Sequence, residues 1–191
     1  MNLQNFIIIS VIAILSFQLS AQQSISGVEI RSEIINSENQ VLALNGVGLR
    51  EKFWIDLYIA SLYVETKALD AELYYTNSES LIMDLNIISN LITSEKMISA
   101  IKIGFEKSVE SPTTELKAKI SNMTSLLKSN TINKGDQIMF SYVQGKGTYI
   151  IKNNKVLSLI PGKDFKSALF GIWLCNKPAD KNLKKALLNG N

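Results

Sequence analysis

Residues 45–64, NGVGLREKFWIDLYIASLYV, decide the fold, because their second half is a long run of strand-forming side chains. Residues 53–64 are rich in aromatic and β-branched residues, which predicts one long strand. Both alternating faces of that run are largely apolar, so we expect the strand to be covered on both sides. Upstream, Gly46 and Gly48 flank a predicted turn, and Arg50 follows it just before the strand.

Arg50 is the candidate residue for holding an anion. The chain contains only two arginines, Arg31 and Arg50, and the second stands at the mouth of the predicted central strand. A guanidinium can grip a carboxylate with two parallel hydrogen bonds. The alternative is that Arg50 pairs with Asp56 or Glu51 and stabilises the start of the strand.

The composition excludes several classes of function. The chain has no histidine, which removes Ser-His-Asp and Cys-His catalysis and histidine metal sites. No acidic calcium loop is visible, so we predict no metal and no cofactor. The GKGT string at 145–148 leads into a strand and not a helix, which favours a hairpin over a phosphate-binding loop. A net charge of +3 without a basic run gives no support for nucleic acid as a partner.

The N-terminus predicts export. Residues 1–21 carry no charged side chain, and their apolar part, 6–17, is too short to span a bilayer comfortably. We predict a signal peptide at 1–21, cleaved after Ala21, and one domain at 22–191; the alternative is an uncleaved membrane anchor. The predicted location is periplasmic or secreted, with no stable membrane insertion after cleavage. The single cysteine, Cys175, lies in an apolar run and is expected to be buried.

Hydrophobic periodicity predicts an α+β domain with an antiparallel sheet. The predicted strands are 26–35, 40–44, 53–64, 80–88, 137–143, 148–152 and 156–160. The predicted helices lie within 67–75, at 94–109, from Pro112 to about 128, at 165–174 and from 180 to 188. Expected helix caps are Thr93 or Ser94, Asp164 and Asp180, and Asn153-Asn154 is the expected tight turn.

Four ordered segments carry a resemblance to a known family. They are LNGVGLREKFWIDLYIASLYV, TSEKMISAIKIGFEKS, KGDQIMFSYVQGKGTYI and IPGKDFKSALFGIWLCNKPADKNLKKALL. Together they resemble the chalcone isomerase-like proteins of bacteria, over essentially all of the chain after residue 21. The resemblance implies an open-faced β-sandwich of the chalcone isomerase type. In that fold a large antiparallel sheet is covered by helices, with a ligand cleft between them.

The resemblance retains one catalytic position and loses most of the others. Plant chalcone isomerases use an arginine that stabilises developing charge, and Arg50 matches it. Their water-organising threonine falls at or near Tyr58, and their tyrosine at Thr93. Their asparagine position is Ala100, and their late threonine falls near Ile172. This pattern argues against flavonoid cyclisation.

The resemblance therefore points to the non-catalytic branch of the superfamily, which is similar to fatty-acid-binding proteins. Arg50 and Tyr58 would hold a carboxylate there, although Tyr58 can equally be a core tyrosine. Lys96 is either a solvated helix charge or a residue at the edge of the cleft. The predicted contacts of an apolar tail are Trp54, Leu62, Met97, Ile101, Phe105 and Ile172.

Three hypotheses follow. In the first, the protein is exported, is not a catalyst, and binds a fatty acid or similar apolar carboxylate. In the second, it is an isomerase (an intramolecular lyase) acting on an unknown enone-like substrate, with Arg50 as the electrophilic residue. In the third, it is a structural or interaction protein with a filled cleft; a core filled by Trp54, Phe105 and Trp173, with no cavity beside Arg50, would favour this hypothesis.

Overall fold

The computed structural model describes residues 23–67 and 70–189, so the predicted signal peptide at 1–21 lies outside the described residues. The strands are β1 Gln23–Ile25, β2 Val28–Ile30, β3 Glu33–Ile35, β4 Val41–Lys52, β5 Ile55–Val64, β6 Leu81–Ile87, β7 Gln137–Val143, β8 Gly147–Lys152 and β9 Lys155–Ile160. The helices are α1 Ala71–Thr76, α2 Ser94–Ser108, α3 Thr114–Ser129, α4 Lys163–Leu174 and α5 Lys181–Leu188.

One antiparallel sheet organises the domain. Its seven strands lie in sequence order from β3 to β9, and every neighbouring pair is antiparallel. β1 and β2 form a separate two-stranded ribbon. The helices occur as insertions into this meander or after it, which confirms the predicted α+β class.

The two faces of the sheet bury different cores. Alternate residues of the central strands, such as Tyr58, Leu62 and Phe140, belong to one large apolar cluster with residues of all five helices. Their neighbours on the opposite face, such as Ile59, pack in smaller clusters with β1, β2 and β4. The helices therefore cover one face, and the N-terminal ribbon covers part of the other.

The predicted strand at 53–64 is wrong at its start, and so is the turn at Gly46 and Gly48. β4 runs through both glycines, and the turn falls at Phe53 and Trp54, whose φ angles are 52° and 65°. β5 is buried on both faces only from Tyr58 onward. The predicted cover on both sides is therefore confirmed for its inner part alone.

Gly46 and Gly48 serve the packing of α5 against β4. A Cβ built on Gly46 would overlap the carbonyl oxygen of Ala186. One on Gly48 would lie 2.7 Å from the Cβ of that same alanine. The Asn45 side chain also donates a hydrogen bond of 2.7 Å to the Leu187 carbonyl. The missing side chains thus let the C-terminal helix lie directly on the strand that carries Arg50.

The first predicted strand, 26–35, is divided. A turn at Ser26-Gly27 separates β1 from β2, and residues 31–32 separate β2 from β3. The predicted turn at 37–39 is confirmed, since it joins β3 to β4 with Asn39 at a φ of 59°. The turn at Asn153-Asn154 is confirmed as well, with φ angles of 48° and 65°.

Two helix starts differ from the prediction. α3 begins at Thr114 with Thr113 as its cap, so Pro112 precedes the cap instead of occupying the first helical position. α4 begins at Lys163 after Gly162, and Asp164 does not cap it. The Asp164 carboxylate instead accepts hydrogen bonds of 2.9 Å and 3.0 Å from Lys119. An ion pair to a neighbouring helix has replaced the expected local contact.

The predicted caps of α2 and α5 are confirmed. The Thr93 side chain accepts a hydrogen bond from the Lys96 amide, and Asp180 accepts from the amides of Asn182 and Leu183. Cys175 is buried, as predicted. Within the described ranges, no helix combines the length and the apolar character that crossing a membrane requires.

Candidate functional site

A pocket of about 450 Å³ lies between the outer end of the β4–β5 hairpin and the helices α2 and α4. Its walls are mostly apolar and come from all four elements. The lining residues are Arg50, Lys52, Phe53, Ile55, Leu57, Tyr58, Leu91, Ile92, Lys96, Met97, Ser99, Ala100, Ile101, Ile103, Ile172, Trp173 and Ala179. We call this space the Arg50 pocket. Its size is that of a small-molecule site.

A β-bulge shapes the sheet wall of the Arg50 pocket. Arg50 is opposite Tyr58 on β5, but Glu51 is opposite Asp56, so Leu57 has no partner on β4. An extra residue of this kind bends the strand and redirects its side chains. Leu57 and Tyr58 are adjacent in sequence, and both line the pocket. The bulge therefore presents an apolar and a polar side chain to the same cavity.

Tyr58 is buried, and its hydroxyl interacts with two donor side chains, Trp173 and Arg50. The Nε1 of Trp173 donates a hydrogen bond of 3.1 Å to that oxygen. Burial raises the pKa of Tyr58 above its ordinary value, while the Trp173 bond and the nearby Arg50 charge act in the opposite direction. Tyr58 is therefore a neutral phenol near neutral pH. Its own proton meets no acceptor among the described residues, so it remains able to donate to a ligand.

Arg50 pairs with Asp180 and not with the neighbours predicted from the sequence. Its Nη1 donates to the Asp180 carboxylate and, at 2.9 Å, to the backbone carbonyl of Glu51. The pairing predicted with the Asp56 or Glu51 carboxylates is wrong. Both of these hydrogen bonds leave from Nη1, and the guanidinium also interacts with the hydroxyl of Tyr58. A guanidinium has five N–H donors, so these contacts leave donors of Arg50 that can bind a carboxylate.

Asp180 has two roles at the end of the pocket. One carboxylate oxygen caps α5, and the other accepts from Arg50. The sequence predicted the cap but missed the ion pair. The two partners are 130 residues apart, and no local pattern connects them.

The charged residues that line the Arg50 pocket are all cations. Arg50, Lys52 and Lys96 line it, whereas no acidic side chain of the described residues does. Asp180 compensates only Arg50 by direct contact. The pocket entrance therefore favours ligands with a negative or hydrogen-bond-accepting group.

The structure brings together seven of the nine predicted site residues. Those that line the Arg50 pocket are Arg50, Tyr58, Lys96, Met97, Ala100, Ile101 and Ile172. Trp54 does not: it is 94 % exposed at the tip of the hairpin, so its predicted contact with an apolar tail is wrong. Thr93 lies outside as the cap of α2. Leu62 and Phe105 belong to the core and do not line the Arg50 pocket either.

Sequence reasoning missed other parts of the wall. Leu57, Leu91, Ile103, Trp173 and Ala179 line the pocket as well. Leu91 comes just before α2, and Ile103 lies outside the apolar stripe that the helical period predicts. Trp173 was predicted only as a filler of the cleft. In a regular strand, adjacent side chains point to opposite faces, so only one of Leu57 and Tyr58 could line the pocket. The sequence therefore did not predict Leu57 as a lining residue.

A second groove lies between α2 and α3 and has a different character. Its volume is about 390 Å³, and Phe105 and Ile120 form its apolar floor. Lys102, Glu106 and Lys117 are among its lining residues, so both signs of charge are present. The Arg50 pocket is larger, more apolar and single-signed, which makes it the better candidate. No group of acidic or cysteine residues in the described ranges is arranged to hold a metal ion.

The fold and this pocket define an α+β domain that encloses an apolar cavity between an antiparallel sheet and a helical layer, with an arginine at one end. The chain belongs to the chalcone isomerase-like family, whose model matches residues 22–189. This confirms the resemblance carried by the four sequence segments. A comparison with curated protein sequences gives no significant match.

The structure is also similar to the crystal structure of a fatty-acid binding protein from Arabidopsis thaliana. The two share 16 % sequence identity, and the TM-score is 0.69. The match covers 85 % of this chain and 92 % of the plant protein. At this level of identity the likeness establishes the shared fold, and it agrees with the open-faced β-sandwich that the sequence predicts.

Proposed function

We propose that this protein binds a fatty acid or a similar apolar carboxylate in the Arg50 pocket without catalysing a reaction. The observation that carries the proposal is the pairing of an apolar cavity with unused donors at one end. Guanidinium donors of Arg50 that the Asp180 and Glu51 contacts do not use, together with the hydroxyl of Tyr58, are the donors for the carboxylate. Met97, Ile101 and Ile172 are apolar contacts for the chain of the ligand.

The name of the plant structure supports the same ligand class, because that protein is described as a fatty-acid binding protein. The polar positions of a cyclising enzyme give less support to the isomerase hypothesis. The Thr93 side chain caps α2, and Ala100 contributes only a methyl group to the pocket. The enone isomerase therefore remains the alternative prediction, with Arg50 as its electrophilic residue.

The structure does not favour the filled-cleft hypothesis. Trp54 is exposed and cannot fill the cleft, and a cavity adjoins Arg50.

We further propose that the protein is exported, because the first 21 residues have the composition of a signal peptide. Mass spectrometry of the protein recovered from the culture medium or periplasm, with its N-terminal residue identified, tests this proposal.

Native mass spectrometry of the purified protein tests the binding proposal. The wild type, expressed from the full sequence, is expected to carry a mass adduct that organic extraction identifies as an acyl carboxylate. Arg50→Ala is expected to lose the adduct. Arg31→Ala is the matched control, because Arg31 is the only other arginine and does not line the pocket. An empty wild type that also refuses added oleate would contradict the proposal.

A further inference from the structure

The mouth of the Arg50 pocket carries an unusual concentration of exposed apolar surface. Ten large apolar side chains are exposed in the described part of the chain, and four of them line this pocket. They are Phe53, Ile55, Leu91 and Ile103. The most exposed of the ten, Trp54, is the next residue after Phe53. Clustered exposed apolar side chains mark a surface that contacts something apolar.

The residues at the tip of the β4–β5 hairpin do not stabilise the isolated chain. Phe53 and Trp54 form a two-residue turn in which both φ angles are positive. Bulky residues rarely adopt that backbone conformation, which Asn-Gly would accommodate far better. Their rings are 82 % and 94 % exposed, so burial does not compensate for the strain. The two aromatic residues therefore need a partner outside the chain to contribute favourably.

Near the hairpin tip, lysine side chains line the Arg50 pocket, whereas the acidic side chains of the hairpin do not. The ammonium of Lys52 lies 5.4 Å from the centre of the Phe53 ring, and Lys96 lines the same pocket. The acids of this hairpin, Glu51 and Asp56, are opposite each other across β4 and β5, and neither lines the pocket. Cations thus accompany the apolar mouth. Aromatic residues beside lysines are the combination found at the interface of a lipid bilayer with water.

We propose that the protein docks reversibly on a lipid bilayer through this hairpin tip. Phe53 and Trp54 enter the interfacial region, where an indole ring suits both the apolar and the polar surroundings. Lys52 and Lys96 face the lipid phosphates. Because Phe53 and Ile55 line the pocket, docking places its mouth against the membrane. An apolar ligand could then move between bilayer and pocket without crossing water, a consequence that rests on the proposed binding function.

Co-sedimentation with vesicles tests the docking itself. The ligand-free protein, expressed from the full sequence, is mixed with phosphatidylcholine vesicles that contain or lack phosphatidylglycerol. Trp54→Gly should reduce the vesicle partition coefficient about tenfold or more, since one fully exposed indole is removed. Glycine suits the positive φ of this position, so the variant should fold. Val156→Ser is the control, because Val156 is an exposed apolar residue on β9, away from the mouth.

Tryptophan emission gives an independent measurement. Trp173 is buried, so the difference between wild-type and Trp54→Gly spectra reports Trp54 alone. Docking should shift this difference spectrum to shorter wavelength, and lipids brominated in the acyl chain should quench it. Equal partition of wild type and Trp54→Gly would overturn the proposal. A wild-type dimer that dissociates on this substitution, without any vesicle binding, would overturn it in favour of a second copy as the partner.

Transfer kinetics separate this proposal from the binding function. Trp54 does not line the pocket, so Trp54→Gly should bind oleate with wild-type affinity but deliver it to vesicles several-fold more slowly. The wild-type transfer rate should rise with vesicle concentration. If no oleate binds, the function proposed above fails while the vesicle result still stands. If transfer is equally fast in both proteins and independent of vesicle concentration, docking does not serve ligand exchange.

Discussion

Arg50 and Lys166 are two cations enclosed by the same domain, and they differ in the state of their donors. Lys166 is fully buried in α4, and its ammonium donates to the Asn77 carbonyl, the Asn77 side chain and the Glu79 carbonyl at 2.9 Å, 3.0 Å and 3.0 Å. It also lies 4.6 Å from the centre of the Tyr142 ring. All three of its protons are used. Arg50 borders a cavity, and its hydrogen bonds to Asp180 and Glu51 both leave from Nη1, which leaves guanidinium donors for a ligand.

This difference teaches how a structural cation is told from a candidate binding cation. Burial alone would select Lys166, whose pKa burial lowers to about 8. Its hydrogen bonds are complete, however, and it lines no cavity described above. A candidate binding cation is better recognised by unused hydrogen-bond donors that border a cavity, and Arg50 has such donors.

Removing Lys166 should lower the stability of the fold without changing ligand binding. Lys166→Ala leaves three carbonyl acceptors without their donor and opens a cavity, so the free energy of unfolding should fall by about 3 kcal/mol. Urea titration followed by circular dichroism measures it. Oleate affinity of the folded variant should stay at the wild-type value. A loss of binding without a loss of stability would show that Lys166 is not merely structural.

Removing Arg50 should have the opposite profile. Arg50→Ala deletes two charge-assisted hydrogen bonds to a carboxylate, so oleate should bind more weakly by about 2 kcal/mol, roughly 30-fold. Isothermal titration calorimetry gives this difference. Oleyl alcohol, which has no carboxylate, should lose much less affinity. Equal losses for acid and alcohol would mean that Arg50 shapes the pocket and does not bind the charge.

The pH dependence of stability should sharpen the contrast. The pKa of Lys166 is about 8 in the folded chain, against an ordinary value of 10.5. Between these values the unfolded chain binds more protons than the folded chain, so this residue makes stability rise with pH. The expected gain is about 1 to 2 kcal/mol between pH 8 and pH 9.5.

Lys166→Met keeps most of the side-chain volume and should abolish this rise. Urea midpoints of the wild type and the variant, measured at the same pH values, give the difference directly. Parallel curves for the two proteins would contradict the assignment to Lys166.

Asp180 should have the smallest effect, and one of opposite sign. Asp180→Asn keeps a side chain able to cap α5 but removes the negative charge beside Arg50. Oleate should then bind more tightly by about 1 kcal/mol, roughly fivefold. Oleyl alcohol should bind with unchanged affinity. Weaker oleate binding would mean that Asp180 is needed to hold Arg50 in position.

Local signals were sufficient for much of the fold. The meander of β7, β8 and β9 follows from apolar runs and from an Asn-Asn turn, and the apolar period of α2 identifies it. The β4–β5 hairpin shows the limit. Gly46 and Gly48 look like turn residues, but they are required by a helix about 140 residues later. Phe53 and Trp54 favour a strand by propensity, yet they form the turn.

The candidate site also contains residues that the sequence could supply and contacts that it could not. The family resemblance supplied Arg50 and Tyr58, which lie opposite each other in the sheet. The Asp180 partner and the exposure of Trp54 depend on how distant elements pack. No periodicity or spacing within the sequence reports such contacts.

The hydrogen bonds at the polar end of the pocket set an order for biosynthesis. Tyr58 and Trp173 are 115 residues apart, and Arg50 and Asp180 are 130 apart. A ribosome delivers the β4–β5 hairpin long before it delivers α4 and α5. A chain that still lacks α4 and α5 therefore has the sheet wall and α2, but neither of these two hydrogen bonds. Under the proposed function, a ligand can be held only once these helices have docked, so it would act on the completed fold and not on the early folding of the chain.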